Sequence, residues 1–267
     1  AFGYMQELAH GHTAWLRPQL GGMPPETDGL LPYWLGAWAI QITPEWLMAP
    51  EMAARLPFMA LLVLTLAATW YAVYYLASSP GAQPVAFAFG GEAKPSDYAR
   101  AIADGALLAL IACLGLAQLS HEATGYLAQL ACTTLIFFAV ATLPYHTVAP
   151  AVAVVVGMVG LTLAGAPALA ALLGAGSIAL VALAQAIPSE RRLRWAVMLA
   201  IVTLLAAMLA WQLDLWRWRL VDAATEGKEF KSLIRLLLWF GWPAWPMAAW
   251  TLWRWRKQLF NRQVHRH

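Results

Sequence analysis

Val152–Ile187 reads VAVVVGMVGLTLAGAPALAALLGAGSIALVALAQAI. The run is apolar throughout and too long for one membrane crossing, which takes about twenty residues. Gly165-Ala166-Pro167 stands near its middle. Glycine frees the backbone there, and proline cannot continue a helix begun before it. The run is therefore expected to form two short spans, 151–165 and 168–187. That choice sets which ends of the other apolar segments lie together.

The composition points the same way. Of 267 residues, 61% are hydrophobic and only 12% are charged, whereas a soluble domain carries about a quarter charged residues. Fifteen Trp and eight Tyr suit side chains that populate membrane interfaces. The net charge of +3 is scattered or sits at span ends, which gives no argument for nucleic acid. Cys113 and Cys132 lie in apolar runs with no CxxC spacing, so both are expected to be plain thiols within helices. No GxGxxG after a strand, Walker lysine loop, HExxH or nucleophile elbow is present, which disfavours soluble nucleotide or hydrolase chemistry.

Outward from the hairpin, further spans are expected at about Leu56–Ala77, Ala101–Leu119, Tyr126–Leu143, Trp195–Leu213 and Leu233–Trp253, the last containing Trp242-Pro243 and Trp245-Pro246. Pro144–Pro150 should break the chain after the third. The expected fold is all-α: a polytopic transmembrane helical bundle of about seven spans. The organisation divides into an extracytoplasmic loop with interfacial helices at 1–53 and a transmembrane region at 54–267. SERRLR (Ser189–Arg194) and Arg254–Arg266 are the densest basic segments and share one side, read as cytoplasmic. The opening loop, His121–Gly125 and Asp214–Ser232 share the other. Asp214–Ser232 carries Arg217, Arg219, Lys228 and Lys231 on that outer side, against the usual bias. Attraction of an anionic substrate or interfacial snorkelling beside Trp216 and Trp218 accounts for them. The localisation expected is the inner (cytoplasmic) membrane, multi-pass.

The opening loop is the most polar long stretch before the first full span. Phe2–His10 places Phe2, Met5, Leu8 and Ala9 on one helical face, and Gly11 should end that helix. Thr13–Gln19 is short and broken by Pro18. Gly21, Gly22, Pro24 and Pro25 are turn residues. Leu30–Ile42 is apolar but short for a span, and with Trp34, Trp38 and Trp46 it suits an interfacial helix.

The run WLRPQLGGMPPETDGLLPYWLGAWAIQI (Trp15–Ile42), followed by AARLPF (Ala53–Phe58), resembles the first extracytoplasmic loop and second span of the membrane-integral C-type glycosyltransferases. The similarity is to their lipid A aminoarabinose transferase and protein O-mannosyltransferase branch. That family writes an Arg-Tyr-Ala-Glu-like helix, then Gly-x-Trp-Leu-x-Pro-x-Leu-x-Gly-x-Pro, Glu-Lys-Pro-Pro-Leu-Pro-Tyr-Trp-Leu and Ala-Arg-Leu-Pro. The matching residues here are Tyr4, Trp15, Leu16, Pro18, Leu20, Gly22, Pro24, Pro32, Tyr33, Trp34, Leu35 and Ala54–Pro57. The likeness covers about sixty residues and elsewhere extends only to hydropathy.

The resemblance implies transfer of a sugar from a polyprenyl-phosphate donor to a lipid or protein acceptor on the extracytoplasmic side. Inversion at the anomeric carbon needs a carboxylate to activate the acceptor oxygen and cations to hold the leaving phosphate. The family's main base would fall just upstream of Ala1, which suggests an internal piece of a longer protein. The carboxylates present are Glu26, Asp28 and Glu122. Tyr4, Arg17, Tyr33, Trp34, Arg55, Arg217 and Arg219 are the candidate substrate-binding residues. His121 beside Glu122 is a candidate site for a divalent metal, Zn²⁺ or Mn²⁺, or else a solvated pair. Two family cations are replaced, the Arg before Tyr4 by Gly3 and the Lys of Glu-Lys-Pro-Pro by Asp28.

Other residues have plainer readings. His10 and His12, two apart, do not share a helix face. Asp104 is a costly intramembrane acid or a partner of Arg100 at i−4. Gly157–Gly160 and Gly174–Gly176 suit helix packing. The alternative function is a catalytically inactive membrane subunit that packs in a larger complex with partner subunits. A transporter would need an internal repeat, and none is visible.

Overall fold

The computed structural model describes residues 1–25, 29–82, 93–119, 123–184, 187–216 and 227–259. It is helical throughout, with two isolated β-bridges and no named strand among the described residues. The helices are α1 (Phe2–Ala9), α2 (Leu31–Ile42), α3 (Pro50–Ala53), α4 (Leu56–Ala77), α5 (Pro95–Ile111) and α6 (Leu114–Leu119). Then come α7 (Gly125–Thr142), α8 (Val148–Leu163), α9 (Pro167–Leu183), α10 (Ser189–Gln212), α11 (Gly227–Phe240) and α12 (Ala244–Leu259). Among the described residues three helical runs are long and apolar enough to cross a membrane: Pro50–Ala77, Gly125–Thr142 and Ser189–Gln212. Helices α8 and α9 are apolar but shorter.

The chain forms two compact units. One comprises Ala1–Ala68 and Leu119–Trp216; the other comprises Thr69–Gln118 and Arg217–His267.

The first unit is built on α7–α10. Small residues let these helices meet. A Cβ on Gly157 would lie 2.8 Å from Ile136 Cγ1 and 3.0 Å from the Cys132 carbonyl oxygen, and one on Gly160 would lie 2.6 Å from Cys132 Sγ. At Gly174 it would collide with Thr203. Around these approaches Ile136, Val154, Met158, Leu161, Leu199 and Val202 close an apolar core. The packing reading of these glycines therefore holds for Gly157, Gly160 and Gly174, while Gly176 faces open space. Hydroxyls within the apolar helices bond back to their own backbone, as Thr142 Oγ1 does to the Phe138 carbonyl (2.8 Å) and Thr162 Oγ1 to that of Met158 (2.9 Å). No polar atom of theirs then needs a partner in hydrocarbon.

Val152–Ile187 breaks where the Gly-Ala-Pro triplet stands. Gly165 takes φ +84°, the left-handed backbone that glycine adopts without steric cost. Its N–H donates to the Thr162 carbonyl (3.0 Å), and the Ala166 N–H donates to that of Leu161 (3.1 Å), the pairing of a Schellman cap. Pro167 then opens α9, where a missing N–H costs nothing. The same cap closes α1, with Gly11 at φ +75°. It also closes α10, where Asp214 takes φ 54° and the Leu215 N–H reaches the Ala210 carbonyl at 2.9 Å.

Several expected boundaries move. Pro150 lies in the first turn of α8 rather than closing the preceding loop, because a first-turn proline forfeits no helical bond. SERRLR is the start of α10 itself. Arg194 pairs with Glu190 one turn back at 3.8 Å, and Arg192 Nη1 donates to the Ala184 carbonyl at the end of α9 (3.4 Å). The segment read as one span at 101–119 is two helices. At Cys113 the ladder tightens to bonds three residues apart, Cys113 N–H to Leu110 and Leu116 N–H to Cys113. The segment read as one span at 233–253 divides at Gly241–Pro243, since Pro243 has no N–H to continue the ladder. The Trp245 indole N–H donates to the Leu238 carbonyl there (2.9 Å).

Gly157→Ala drives a Cβ into the α7 backbone and should lower stability by about 1–3 kcal/mol. Gly176→Ala, with nothing within 4 Å, should be neutral or slightly stabilising. Thermal unfolding of the two detergent-purified variants checks the pair.

Candidate functional site

The opening loop folds onto one end of the α7–α8–α9 group. Leu30 N–H donates to the Leu163 carbonyl at the α8 terminus (2.7 Å). Gln129, on α7, donates its side-chain N–H to the Ala164 carbonyl (2.9 Å). Gly29 lies so close that a Cβ on it would sit 2.6 Å from the Ala164 carbonyl oxygen. Gly125, at the start of α7, faces Pro32.

On this anchorage α1 packs across α2. Met5 and Leu8 are fully buried against Tyr33, Ala37, Phe58 and Leu127, each worth about 1.5–3 kcal/mol of burial. Gly36 permits the crossing, since a Cβ there would overlap the Met5 sulfur. The amphipathic reading of 2–10 and the short second helix both hold, though α2 buries one flank, including Pro32, Tyr33, Gly36 and Ala37, against protein.

The matched aromatic residues come together. The Tyr4 and Tyr33 ring centres are 5.6 Å apart, and the Tyr4 hydroxyl donates to the Pro24 carbonyl (3.1 Å). Trp34 donates its indole N–H to the Trp15 carbonyl (2.7 Å). Trp38 lies 6.1 Å from both Trp15 and Trp34, and Gln41 donates to the Ala9 carbonyl (2.9 Å). The result is an aromatic shelf in which Tyr4 and Trp34 commit their polar tips to loop carbonyls. Trp38, Gln41 and Gln129 were absent from the sequence candidates. For Gln129 the available signal was an amide within an otherwise apolar segment.

The connecting segments are turns. Thr13 Oγ1 accepts from the Gln19 N–H (2.9 Å), which closes the Thr13–Gln19 loop. Leu20 and Met23 exchange both backbone bonds, 3.0 and 3.1 Å, across Gly21 and Gly22, both at positive φ. Only residues free of a Cβ take two such positions easily. The turn sets Leu20 against Gly3, where a Cβ would meet Leu20 Cδ2 at 3.0 Å.

Arg17 and Arg55 are exposed, and neither forms an ion pair among the described residues. Arg55 immediately precedes α4, next to buried Ala54. Glu26, Asp28, His121, Glu122, Arg217 and Arg219 lie outside the described residues. Thr124 Oγ1, beside that region, is buried and has no partner among the described residues.

Beyond the helix end, His10 and His12 stack at 5.7 Å because Gly11 reverses the chain between them. His10 Nδ1 lies 2.9 Å from the Gln6 carbonyl, and His12 Nδ1 lies 3.3 Å from Glu7 Oε2. Among the described residues no three His, Cys, Asp or Glu side chains converge as metal ligands. In the second unit, Asp104 accepts from the Trp70 indole (2.7 Å), while Arg100 pairs with Asp97 at 3.8 Å. The Asp104–Arg100 pairing is thus replaced by one within the first turn of α5, where Asp97 also meets the favourable helix N-terminus. Cys132 is buried and Cys113 half-buried, both free thiols.

Comparison with family models, with curated proteins and with solved structures gives no match.

Trp34→Phe removes the donor to the Trp15 carbonyl. A net hydrogen bond of about 1 kcal/mol should appear as roughly fivefold faster proteolysis of the 13–19 loop. His12→Gln, which touches only an exposed ion pair and the exposed His10 ring, should leave that rate unchanged.

Proposed function

We propose that this chain acts as a membrane glycosyltransferase, passing a sugar from a polyprenyl-phosphate donor to a lipid or protein acceptor on the extracytoplasmic side of the bacterial inner membrane. The observation that carries the reading is the convergence of Tyr4, Trp15, Tyr33 and Trp34 on one shelf. These are residues on which the family resemblance rests. Aromatic faces and exposed cations within one stretch of chain suit a sugar joined to a phosphate. Tyr33 supplies a rigid wall, and Arg17 and Arg55 supply positive charge toward the leaving phosphate. Arg217 and Arg219 are further cations for it. Glu26, Asp28 and Glu122 are the candidate carboxylates for acceptor activation. A divalent metal at His121 and Glu122 would add Lewis-acid charge.

One observation favours a second reading, an inactive membrane subunit of a larger complex. Leu20 packs against Gly3, the position where the resemblance calls for Arg. A Cβ there would lie 3.0 Å from Leu20 Cδ2, so a longer side chain needs the Leu20 side chain to give way.

The test is donor-dependent transfer by the intact protein in membranes. Arg55→Ala and Trp34→Ala should each abolish transfer while the protein stays folded. Wild-type turnover in both variants refutes the site assignment. A wild-type protein that transfers nothing yet co-purifies with membrane partners supports the subunit reading instead.

A further inference from the structure

Helix α11 (Gly227–Phe240, GKEFKSLIRLLLWF) follows a different pattern from the apolar helices. Its charged residues cluster in the first two and a half turns, and its end is Leu, Trp and Phe. Lys231 and Arg235 stand one turn apart and are exposed. They head a groove of about 400 Å³ whose remaining wall is apolar, with Ile234, Leu238, Trp242 and Trp245 along it. Among the described residues neither cation lies within ion-pair distance of a carboxylate. Some other described cations are engaged, Arg100 with Asp97, Arg194 with Glu190, and Arg256 over the Trp253 ring at 4.7 Å.

The far end of the groove is shaped by the helix break. Trp245 commits its indole N–H to the Leu238 carbonyl and so offers the groove a ring rather than a donor. Trp242 packs on it at 6.1 Å. A ligand meets two cations at one end and hydrocarbon or ring faces along the rest.

We propose that this groove holds an anionic glycerophospholipid of the bilayer, its phosphate between Lys231 and Arg235 and an acyl chain along Ile234, Leu238 and the tryptophans. Charge complementarity selects the occupant. The two cations match a lipid phosphate, and the rest of the wall is aliphatic side chains and indole rings, with no carboxylate, amide or hydroxyl to hold a peptide backbone, a sugar or a nucleotide. A helix with a basic face and a Leu/Trp/Phe remainder belongs at the headgroup boundary. The proposal rests on the chain lying in a membrane and not on sugar transfer. A protein without transferase activity should still select the lipid.

The experiment uses the full chain in phosphatidylcholine nanodiscs with trace spin-labelled phosphatidylglycerol or spin-labelled phosphatidylcholine. The wild type should immobilise the phosphatidylglycerol label preferentially, and raised salt should weaken the preference. Near a membrane surface each basic residue multiplies anionic-lipid binding several-fold, so Lys231→Gln with Arg235→Gln should cut the preference about thirtyfold. The exchange Lys231→Arg with Arg235→Lys should keep it. Equal immobilisation of both labels by the wild type, a preference unmoved by the double Gln variant, or stronger retention of a polyprenyl phosphate than of phosphatidylglycerol overturns the proposal. Should the double Gln variant not fold, salt dependence of the wild type decides, and a salt-insensitive preference overturns it.

Discussion

The Leu30 N–H bond to the Leu163 carbonyl, 2.7 Å, is the contact on which the first unit depends. An α-helix leaves its last carbonyls without partners, and in an apolar setting each orphan is expensive. The end of α8 settles every one of them. Gly160, Leu161 and Thr162 are bonded within the cap, Leu163 receives Leu30, and Ala164 receives Gln129. The cap is made by the Gly165 backbone, and the two remaining acceptors bind the opening loop and α7. A break needed to turn the chain thus becomes the place where three parts of it are joined.

The aromatic shelf follows from that anchorage. Gly29 must pass the Ala164 carbonyl before Leu30 can donate, and only a residue without a Cβ fits. Pro32 then starts α2 in a fixed direction, and Gly36 lets the Met5 side chain lie directly on the α2 backbone. With α1 seated, Tyr4 reaches both Tyr33 and the Pro24 carbonyl. Three positions without a Cβ or an N–H set a surface that is itself aromatic. The shelf is held from below by backbone geometry, so its rings need few polar bonds to one another.

Much of this was legible in the sequence, for definite reasons. Gly11 as a helix stop, Gly165-Ala166-Pro167 as a hairpin and Gly157 with Gly160 as packing positions are local effects, and local residues decide them. The end of α10 was expected at Leu213, but the left-handed backbone of Asp214 was not, because such a conformation at a residue with a Cβ is chosen by the surrounding chain. The division at Trp242-Pro243 was visible as a kink and is in fact an interruption. The turn 20–23 was readable from Gly21-Gly22, but its contact with Gly3 joins residues far apart in the chain, which no local pattern reports. The same limit hid Gln129 and Trp38, whose roles exist only once α2 has docked. Hydropathy counts apolar residues and misses interruptions, which is why the 101–119 segment read as a single span.

The Gly3–Leu20 contact bears most directly on chemistry. A transferase that releases a polyprenyl phosphate must neutralise charge at the leaving oxygen, and in a site of low polarity that demand grows. The resemblance places one cation at position 3 and another at 28. Here the first position is a glycine with the Leu20 side chain against it, and the second residue is an acid. Restoring Arg at position 3 requires the Leu20 side chain to shift. If the shelf handles a phosphate, its positive charge must come from positions other than 3 and 28, and exposed Arg17 and Arg55 are the described cations closest to it in the chain.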